Sequence, residues 1–205
     1  MAKLVDNANE TAFSEQLLGL NLEDLVPRYS VNTLISGPFK YGPWVNRPSR
    51  FRPVGGHGVF YSAFDIKTAL IEHAWHRKQF LDDYNPKREI KALTLQVFSV
   101  KVSGQVIDAS HDDFKEDLVA WLDKHDYSDS QSFATKVKAA QLDAIKYPSV
   151  RHPVGTCLAV LEQSAIVGEP LEIDNNWWLS FSGSQASFIH DRLVGTGESF
   201  SYHLS

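Results

Sequence analysis

Apolar side chains recur at helical spacing in four parts of the chain. The spacing predicts helices over residues 14–25, 66–81, 114–122 and 132–144. Ser14 and Asp65 are suited to cap the first two helices, because a short polar side chain there accepts a hydrogen bond from a free backbone N–H group. Pro27 ends the first helix. In the second helix, Glu72 lies away from the apolar stripe, with His76 one turn later on the same side.

Short runs rich in β-branched residues predict the strands. They cover residues 59–62, 90–100, 102–107, 157–161 and 179–181. Helices and strands mix along the chain without a regular alternation, which favours an α+β fold with a mixed or antiparallel sheet. We expect residues 1–24 to form an N-terminal lead-in, loosely held and polar over residues 1–13, that ends in the first helix. Residues 25–205 are expected to form a single domain.

Composition and charge exclude several classes of protein. The 205 residues are 43% hydrophobic, 22% charged and 12% aromatic, which is typical of a globular protein. No run approaches the roughly 20 apolar residues of a membrane-spanning helix. The single cysteine, Cys157, excludes a disulfide scaffold, and its apolar neighbours indicate a buried core residue. A formal charge of −5 argues against direct nucleic-acid binding. The N-terminal residues lack the pattern of a signal peptide, so a cytoplasmic location is expected.

Residues 41–58 combine prolines and glycines with an unusual density of functional side chains. Arg47, Arg50, Arg52 and His57 all lie in this segment. Guanidinium groups bind phosphates through paired hydrogen bonds, and glycines let the backbone approach a ligand closely. Two interpretations stay open, an anion-binding loop and a solvated basic loop. Neither a Walker loop nor a dinucleotide fingerprint is present.

A second cluster, residues 146–153, places Ser149 and Arg151 between two prolines. Such a restrained loop either presents side chains to a pocket or is a structural turn. Ser149 does not lie in the G-x-S-x-G elbow of serine hydrolases. His73 and His76 are three residues apart, but no third ligand stands at a recognisable spacing, so we predict no metal site.

Five short segments follow one another along the chain, namely Arg28-Tyr29, Arg50-Phe51, Val59-Phe60-Tyr61-Ser62-Ala63, Thr68-Ala69-Leu70-Ile71-Glu72 and Tyr147-Pro148-Ser149-Val150-Arg151. Taken in this order, they resemble the RES domain, a family named for a shared arginine, glutamate and serine. Each segment is weak alone, but the ordered set is specific, and it extends over residues 25–167. The resemblance implies a fold similar to that of ADP-ribosyltransferases for the single domain.

The resemblance implies three catalytic residues, since Arg28 matches the family's arginine, Glu72 its glutamate and Ser149 its serine. The family acts on NAD+ as its substrate, without a metal. Cleavage of the nicotinamide–ribose bond develops positive charge on the ribose, which a carboxylate such as Glu72 would stabilise. Ser149 has no adjacent general base and is interpreted as a positioning group.

Further positions match residues that line the family's NAD+ pocket. These are Tyr29, Arg50 and Tyr61, with Arg52 as the alternative to Arg50 if the loop is registered two residues later. The family usually has a glycine before this arginine and Trp-Asn after it, whereas this chain reads Ser49-Arg50-Phe51-Arg52. The contacts that this loop makes with the ribose or phosphates are therefore left open.

The resemblance implies a toxin of a bacterial toxin–antitoxin pair that degrades NAD+ by hydrolysis or phosphorolysis. The usual partner is an Xre-type antitoxin with a helix-turn-helix region, which blocks the active site. Whether two copies of the toxin pair within that complex is left open. Two other functions are also open, an ADP-ribosyltransferase that modifies a cellular protein and a catalytically inactive NAD-binding module.

Overall fold

The computed structural model describes residues 2–5, 31–41, 46–84, 93–190 and 197–204, which form one nine-stranded sheet with four α-helices. The strands are β1 (Ala2–Val5), β2 (Phe60–Ala63), β3 (Leu93–Val102), β4 (Val106–Asp108), β5 (Ala144–Pro148), β6 (Thr156–Val160), β7 (Ile166–Ser182), β8 (Gln185–His190) and β9 (Ser199–His203). The helices are α1 (Val31–Tyr41), α2 (Ile66–Tyr84), α3 (Lys115–Trp121) and α4 (Ser128–Ala139).

The strands follow the order β4-β5-β6-β2-β1-β3-β7-β8-β9 across the sheet. Among the described strands, β4 and β5 run parallel, and the other neighbouring pairs are antiparallel. The predicted α+β fold with a mixed sheet is therefore confirmed. Ala2 of β1 pairs with Ala63 of β2 and with Ser99 of β3.

The loose lead-in expected over residues 1–13 is wrong at residues 2–5, which form a strand inside the sheet. A run of four residues is too short for sequence periodicity to distinguish a strand from an irregular segment. Pairing with two neighbouring strands decides the conformation of these residues. The helix predicted over residues 14–25 lies outside the described residues.

Alternation along the strands produces an apolar core on each face of the sheet. On one face, Phe60 and Leu158 pack with Leu34 of α1. On the opposite face, Ala63 and Cys157 belong to a larger core that includes residues of α2, α3 and α4. The second face is the one that carries the functional side chains described below.

Helix α2 confirms the helix predicted over residues 66–81 and its cap. The Asp65 Oδ1 atom accepts a hydrogen bond of 2.8 Å from the Thr68 backbone N–H group. Leu70 and Ala74 are fully buried against the sheet, whereas Glu72 is half-buried on an adjoining side of the helix. None of the described helices is long and apolar enough to cross a membrane.

Other boundaries differ from the sequence prediction. The helix predicted over residues 132–144 is Ser128–Ala139, and Ala144–Pro148 forms β5. The helix ends because Gln141 adopts a left-handed conformation with φ of 58°, after which the chain turns into the sheet. The first residues of the cluster 146–153 therefore belong to a strand and not to a loop.

The strand predicted over residues 102–107 is also wrong in part. It divides into the end of β3, a turn at Gly104 and the short strand β4. The Asp143 carboxylate fixes this turn by accepting a hydrogen bond of 2.7 Å from the Gln105 N–H group. Residues 179–181 are the end of the long strand β7, and the two strands that follow it were not predicted.

Candidate active site

A cavity of about 330 Å³ lies over the second face of the sheet, bounded by α2, β2, β5 and β6. Two connections complete it, the arginine loop (residues 46–59) and the site loop (residues 149–155). The lining residues are Ser49, Arg50, Tyr61, Ser62, Ala63, Ala69, Glu72, His73, His76, Tyr127, Tyr147, Arg151 and Cys157. They include one carboxylate, two guanidinium groups and three tyrosines.

Three neighbouring strands supply one row of lining side chains. Cys157 of β6 pairs with Ala63 of β2 on one side and with Tyr147 of β5 on the other. Residues paired across antiparallel strands project from the same face, so the three side chains lie side by side. Burial, reinforced by the charge of Glu72, raises the pKa of the Cys157 thiol far above its usual value. The thiol is therefore protonated, as the prediction of a buried core cysteine requires.

Glu72 and Ser149 meet in this cavity, although they are far apart in the sequence. The Ser149 hydroxyl donates a hydrogen bond of 2.5 Å to Glu72 Oε1. The Ser149 oxygen also accepts hydrogen bonds from the backbone N–H groups of Arg151, at 3.2 Å, and His152, at 2.9 Å. The hydroxyl group therefore donates its hydrogen to the carboxylate, while its oxygen accepts from two backbone N–H groups. This arrangement orients Glu72 and is consistent with a positioning role for Ser149.

A chain of polar groups, of which Thr68 and His152 are buried, ties the site loop to the beginning of α2. The Thr68 hydroxyl donates to Asp65 Oδ2 at 2.6 Å and lies 2.8 Å from Nδ1 of His152. Gly155, which closes the loop, leaves no room for a side chain, because a Cβ there would lie 2.6 Å from Thr68 Cγ2. The helix that carries Glu72 and the loop that carries Ser149 are thus held together by contacts outside the cavity.

The arginine loop brings Arg50 to the cavity and leaves Arg52 outside it. Arg50 Nη1 donates to the carbonyl oxygens of Trp121, at 2.6 Å, and Asp123, at 2.9 Å, and its guanidinium carbon lies 5.0 Å from the Tyr127 ring centroid. The guanidinium of Arg52 instead donates to the carbonyl oxygen of Arg47 at 2.5 Å. The geometry therefore favours Arg50 in the choice that the sequence left open.

Tyr61 of β2 closes one side of the cavity. Its hydroxyl lies 2.9 Å from the Ser49 Oγ atom and accepts a hydrogen bond of 3.0 Å from the Phe51 N–H group. Burial raises the pKa of Tyr61, although these hydrogen bonds and the charges of Arg52 and Arg50 oppose the shift. The phenol is therefore neutral at physiological pH, and its ring is held in place by the arginine loop.

Several lining residues were not predicted from the sequence. Two of them, Arg151 and His76, have ionisable side chains. The sequence places Arg151 in the second cluster but indicates no role for it. Burial lowers the pKa of His76, Glu72 opposes the shift, and Arg151 and Arg50 add to it, although part of the residue is open to solvent. The position of His76 one turn after Glu72 was the sequence signal for a shared site. Arg28 and Tyr29 lie outside the described residues.

A comparison with protein families decides the relationship of this chain. The family model for the RES domain matches residues 26–182. The chain belongs to the RES domain family. The resemblance seen in the sequence is thus confirmed, and the matched part of the RES domain includes every cavity-lining residue.

The RES domain was also compared with curated proteins and with solved structures. No curated protein matches the chain. A solved structure that is similar is a chain of the M. tuberculosis MbcT–MbcA toxin–antitoxin complex. The two chains are 13% identical with a TM-score of 0.46, over 67% of this chain and 75% of the other. Within the ranges that the structure describes, no group of three His, Cys, Asp or Glu side chains could hold a metal ion in the RES domain.

Proposed function

We propose that this RES domain cleaves the nicotinamide–ribose bond of NAD+ and acts as the toxin of a toxin–antitoxin pair. The observation that carries the proposal is the Glu72 carboxylate, fixed by Ser149 at 2.5 Å in a cavity that also holds Arg50 and Tyr61. Membership of the RES family supports the choice of NAD+. The proposal includes an Xre-type antitoxin as partner and a cytoplasmic location.

The chemistry of bond cleavage fits the groups in the cavity. As nicotinamide leaves, positive charge develops on the ribose carbon and ring oxygen, and the fixed Glu72 carboxylate stabilises that charge without reorganising. Ser149 keeps the carboxylate oriented. Arg50 offers N–H donors to the pyrophosphate, and the ring of Tyr61 packs against the nicotinamide or the ribose. Arg28 and Tyr29 are assigned to the same substrate on the family pattern alone.

The test measures nicotinamide release from NAD+ by purified protein, with and without inorganic phosphate, and identifies the ribose product. Free ADP-ribose indicates a hydrolase, and ADP-ribose-1″-phosphate formed only with phosphate indicates a phosphorylase. Glu72→Gln removes the charge but keeps a hydrogen-bond acceptor for Ser149. We expect this variant to lose on the order of 10²- to 10³-fold in rate.

The matched control is Glu162→Gln, because Glu162 is an exposed carboxylate whose charge partner, Lys138, lies 3.5 Å away on the surface. We expect the control to release nicotinamide at the wild-type rate. Release by Glu72→Gln at that same rate contradicts the assignment of Glu72. Label from NAD+ that stays on a protein acceptor contradicts the degradation of free NAD+ and indicates protein modification instead.

A further inference from the structure

Arg151 presents a buried positive charge to the cavity. The residue is 6% exposed, and its guanidinium carbon lies 3.4 Å from the centroid of the Trp75 ring, in stacking contact. Among the residues that the structure describes, no carboxylate lies within ion-pair distance of this guanidinium. The group is therefore enclosed by protein on a wall of the cavity, where the Glu72 carboxylate attracts it from beyond ion-pair distance and the Tyr127 side chain is a hydrogen-bond partner.

The backbone on both sides of Arg151 is fixed, so the side chain is held in this position. Its N–H group donates to Ser149 Oγ at 3.2 Å, and its carbonyl oxygen accepts a hydrogen bond of 2.7 Å from the Tyr202 hydroxyl. Trp75 covers one face of the guanidinium, and the planar edge, where the Tyr127 side chain is one hydrogen-bond partner, has further N–H donors for a ligand. An arginine that served only to make the protein soluble would be free to extend into water.

The surrounding charges make this position costly without an anion. Burial lowers the pKa of Arg151, Glu72 and Tyr127 oppose the shift, and the charge of Arg50 adds to it. Two guanidinium groups that face one cavity repel each other, and Glu72, the single carboxylate among the lining residues, balances one of the two charges. A bound anion with several oxygen atoms supplies the remaining negative charge and accepts hydrogen bonds from both guanidinium groups.

We propose that Arg151 binds a phosphate-class anion in the cavity, together with Arg50, which lines the same cavity. The inference rests on the proposed function for the choice of ligand, and it adds a substrate-binding residue that the family pattern did not assign. Two sources supply the same chemistry, the pyrophosphate of the dinucleotide and inorganic phosphate that serves as the acceptor.

The test is a calorimetric titration of the full chain with four probes, namely ADP-ribose, inorganic pyrophosphate, inorganic phosphate and adenosine. Arg151→Gln should weaken at least one phosphate-bearing probe by about tenfold or more, because charged hydrogen bonds of this kind are lost. Adenosine, which carries no phosphate, should bind as it does to the wild type. Arg47→Gln is the matched control, since Arg47 is an exposed arginine of the arginine loop that pairs with Asp83 at 3.0 Å and does not line the cavity.

The arms of the titration distinguish the two sources. If the substitution weakens the binding of ADP-ribose but not that of inorganic phosphate, Arg151 binds the dinucleotide. If it weakens the binding of phosphate but not that of ADP-ribose, Arg151 binds the acceptor. Affinities within twofold of wild type for every phosphate-bearing probe overturn the proposal, and so does a wild-type chain that binds none of them. If Arg151→Gln does not fold, Arg151→Lys decides. That variant keeps the charge but loses the paired geometry, so about threefold weaker binding is expected and unchanged binding overturns the proposal.

Binding is measured without turnover, so the two proposals can fail separately. If the wild type releases nicotinamide and Arg151→Gln binds anions with unchanged affinity, the role of Arg151 is refuted and the NAD+ activity stands. If Arg151→Gln binds ADP-ribose more weakly than the wild type but the wild type releases no nicotinamide, the NAD+ activity is refuted and the anion site stands.

Discussion

Replacement of Ser149 by alanine tests whether the site loop depends on one hydroxyl group. Ser149 is 6% exposed and makes three hydrogen bonds, one to Glu72 at 2.5 Å and two from backbone N–H groups at 3.2 and 2.9 Å. Alanine leaves both N–H groups without this acceptor in a buried loop. A bond to a carboxylate contributes about 1.5–3 kcal/mol and neutral ones about 1 kcal/mol each, with incomplete additivity. We expect a loss of about 2–4 kcal/mol in the free energy of unfolding.

The assay is urea denaturation followed by tryptophan fluorescence, with the melting temperature measured in parallel. For a chain of this size, the expected destabilisation lowers the melting temperature by roughly 4–16 °C. Nicotinamide release should fall on the order of 10²-fold, because Glu72 loses the bond that orients it. Ser187→Ala is the control, since the Ser187 hydroxyl pairs with Ser201 at 2.9 Å on the exposed side of the sheet. Equal destabilisation by the two substitutions would refute the reasoning.

Three further substitutions probe the surroundings of the site. Gly155→Ala should destabilise the fold by about 1–3 kcal/mol in urea, because the new Cβ overlaps Thr68; a wild-type midpoint would contradict this. Tyr202→Phe removes the hydrogen bond to the Arg151 carbonyl oxygen and should lower the free energy of unfolding by about 1 kcal/mol in the same assay. An unchanged free energy would show that this hydrogen bond does not stabilise the fold. Burial raises the pKa of Cys157, whereas the unfolded thiol ionises near about pH 8.5. Stability should therefore fall as the pH rises above that value, and less steeply in Cys157→Ala; parallel profiles would contradict the assignment.

Local patterns predicted the helix that carries Glu72 but not the contact that makes Glu72 important. The cap at Asp65 and the apolar stripe through Leu70 and Ala74 are local signals, and the structure confirms them. The bond between Glu72 and Ser149 joins residues 77 positions apart, and only the family resemblance connected the two. The charge of Arg151 was visible in the sequence, but its stacking on Trp75 depends on the packing of α2 against the site loop.

The strands show why some elements were missed. Ala144 and Ile145 of β5 are both fully buried, so the strand lacks the alternation that identifies a strand with one exposed face. In β8 burial alternates, with Ala186, Phe188 and His190 buried between more exposed neighbours. The residue types follow this alternation only as far as Phe188, because Ile189 is exposed and the polar His190 is buried. The difference lies in whether tertiary neighbours cover one face of the strand or both.

The position of β1 has a consequence for cooperativity. This four-residue strand joins two four-stranded units, β4-β5-β6-β2 and β3-β7-β8-β9, and it meets β2 at the single paired position Ala2–Ala63. Backbone pairing between the two units is therefore limited at β1. The units are also coupled through the side-chain core that contains both Ala63 and Leu95. In hydrogen exchange, each unit should open with its own free energy. The unit that contains β2, β5 and β6 carries most of the cavity, and Tyr202 of the other unit binds the Arg151 carbonyl oxygen in the site loop. Opening of either unit should therefore disturb the site.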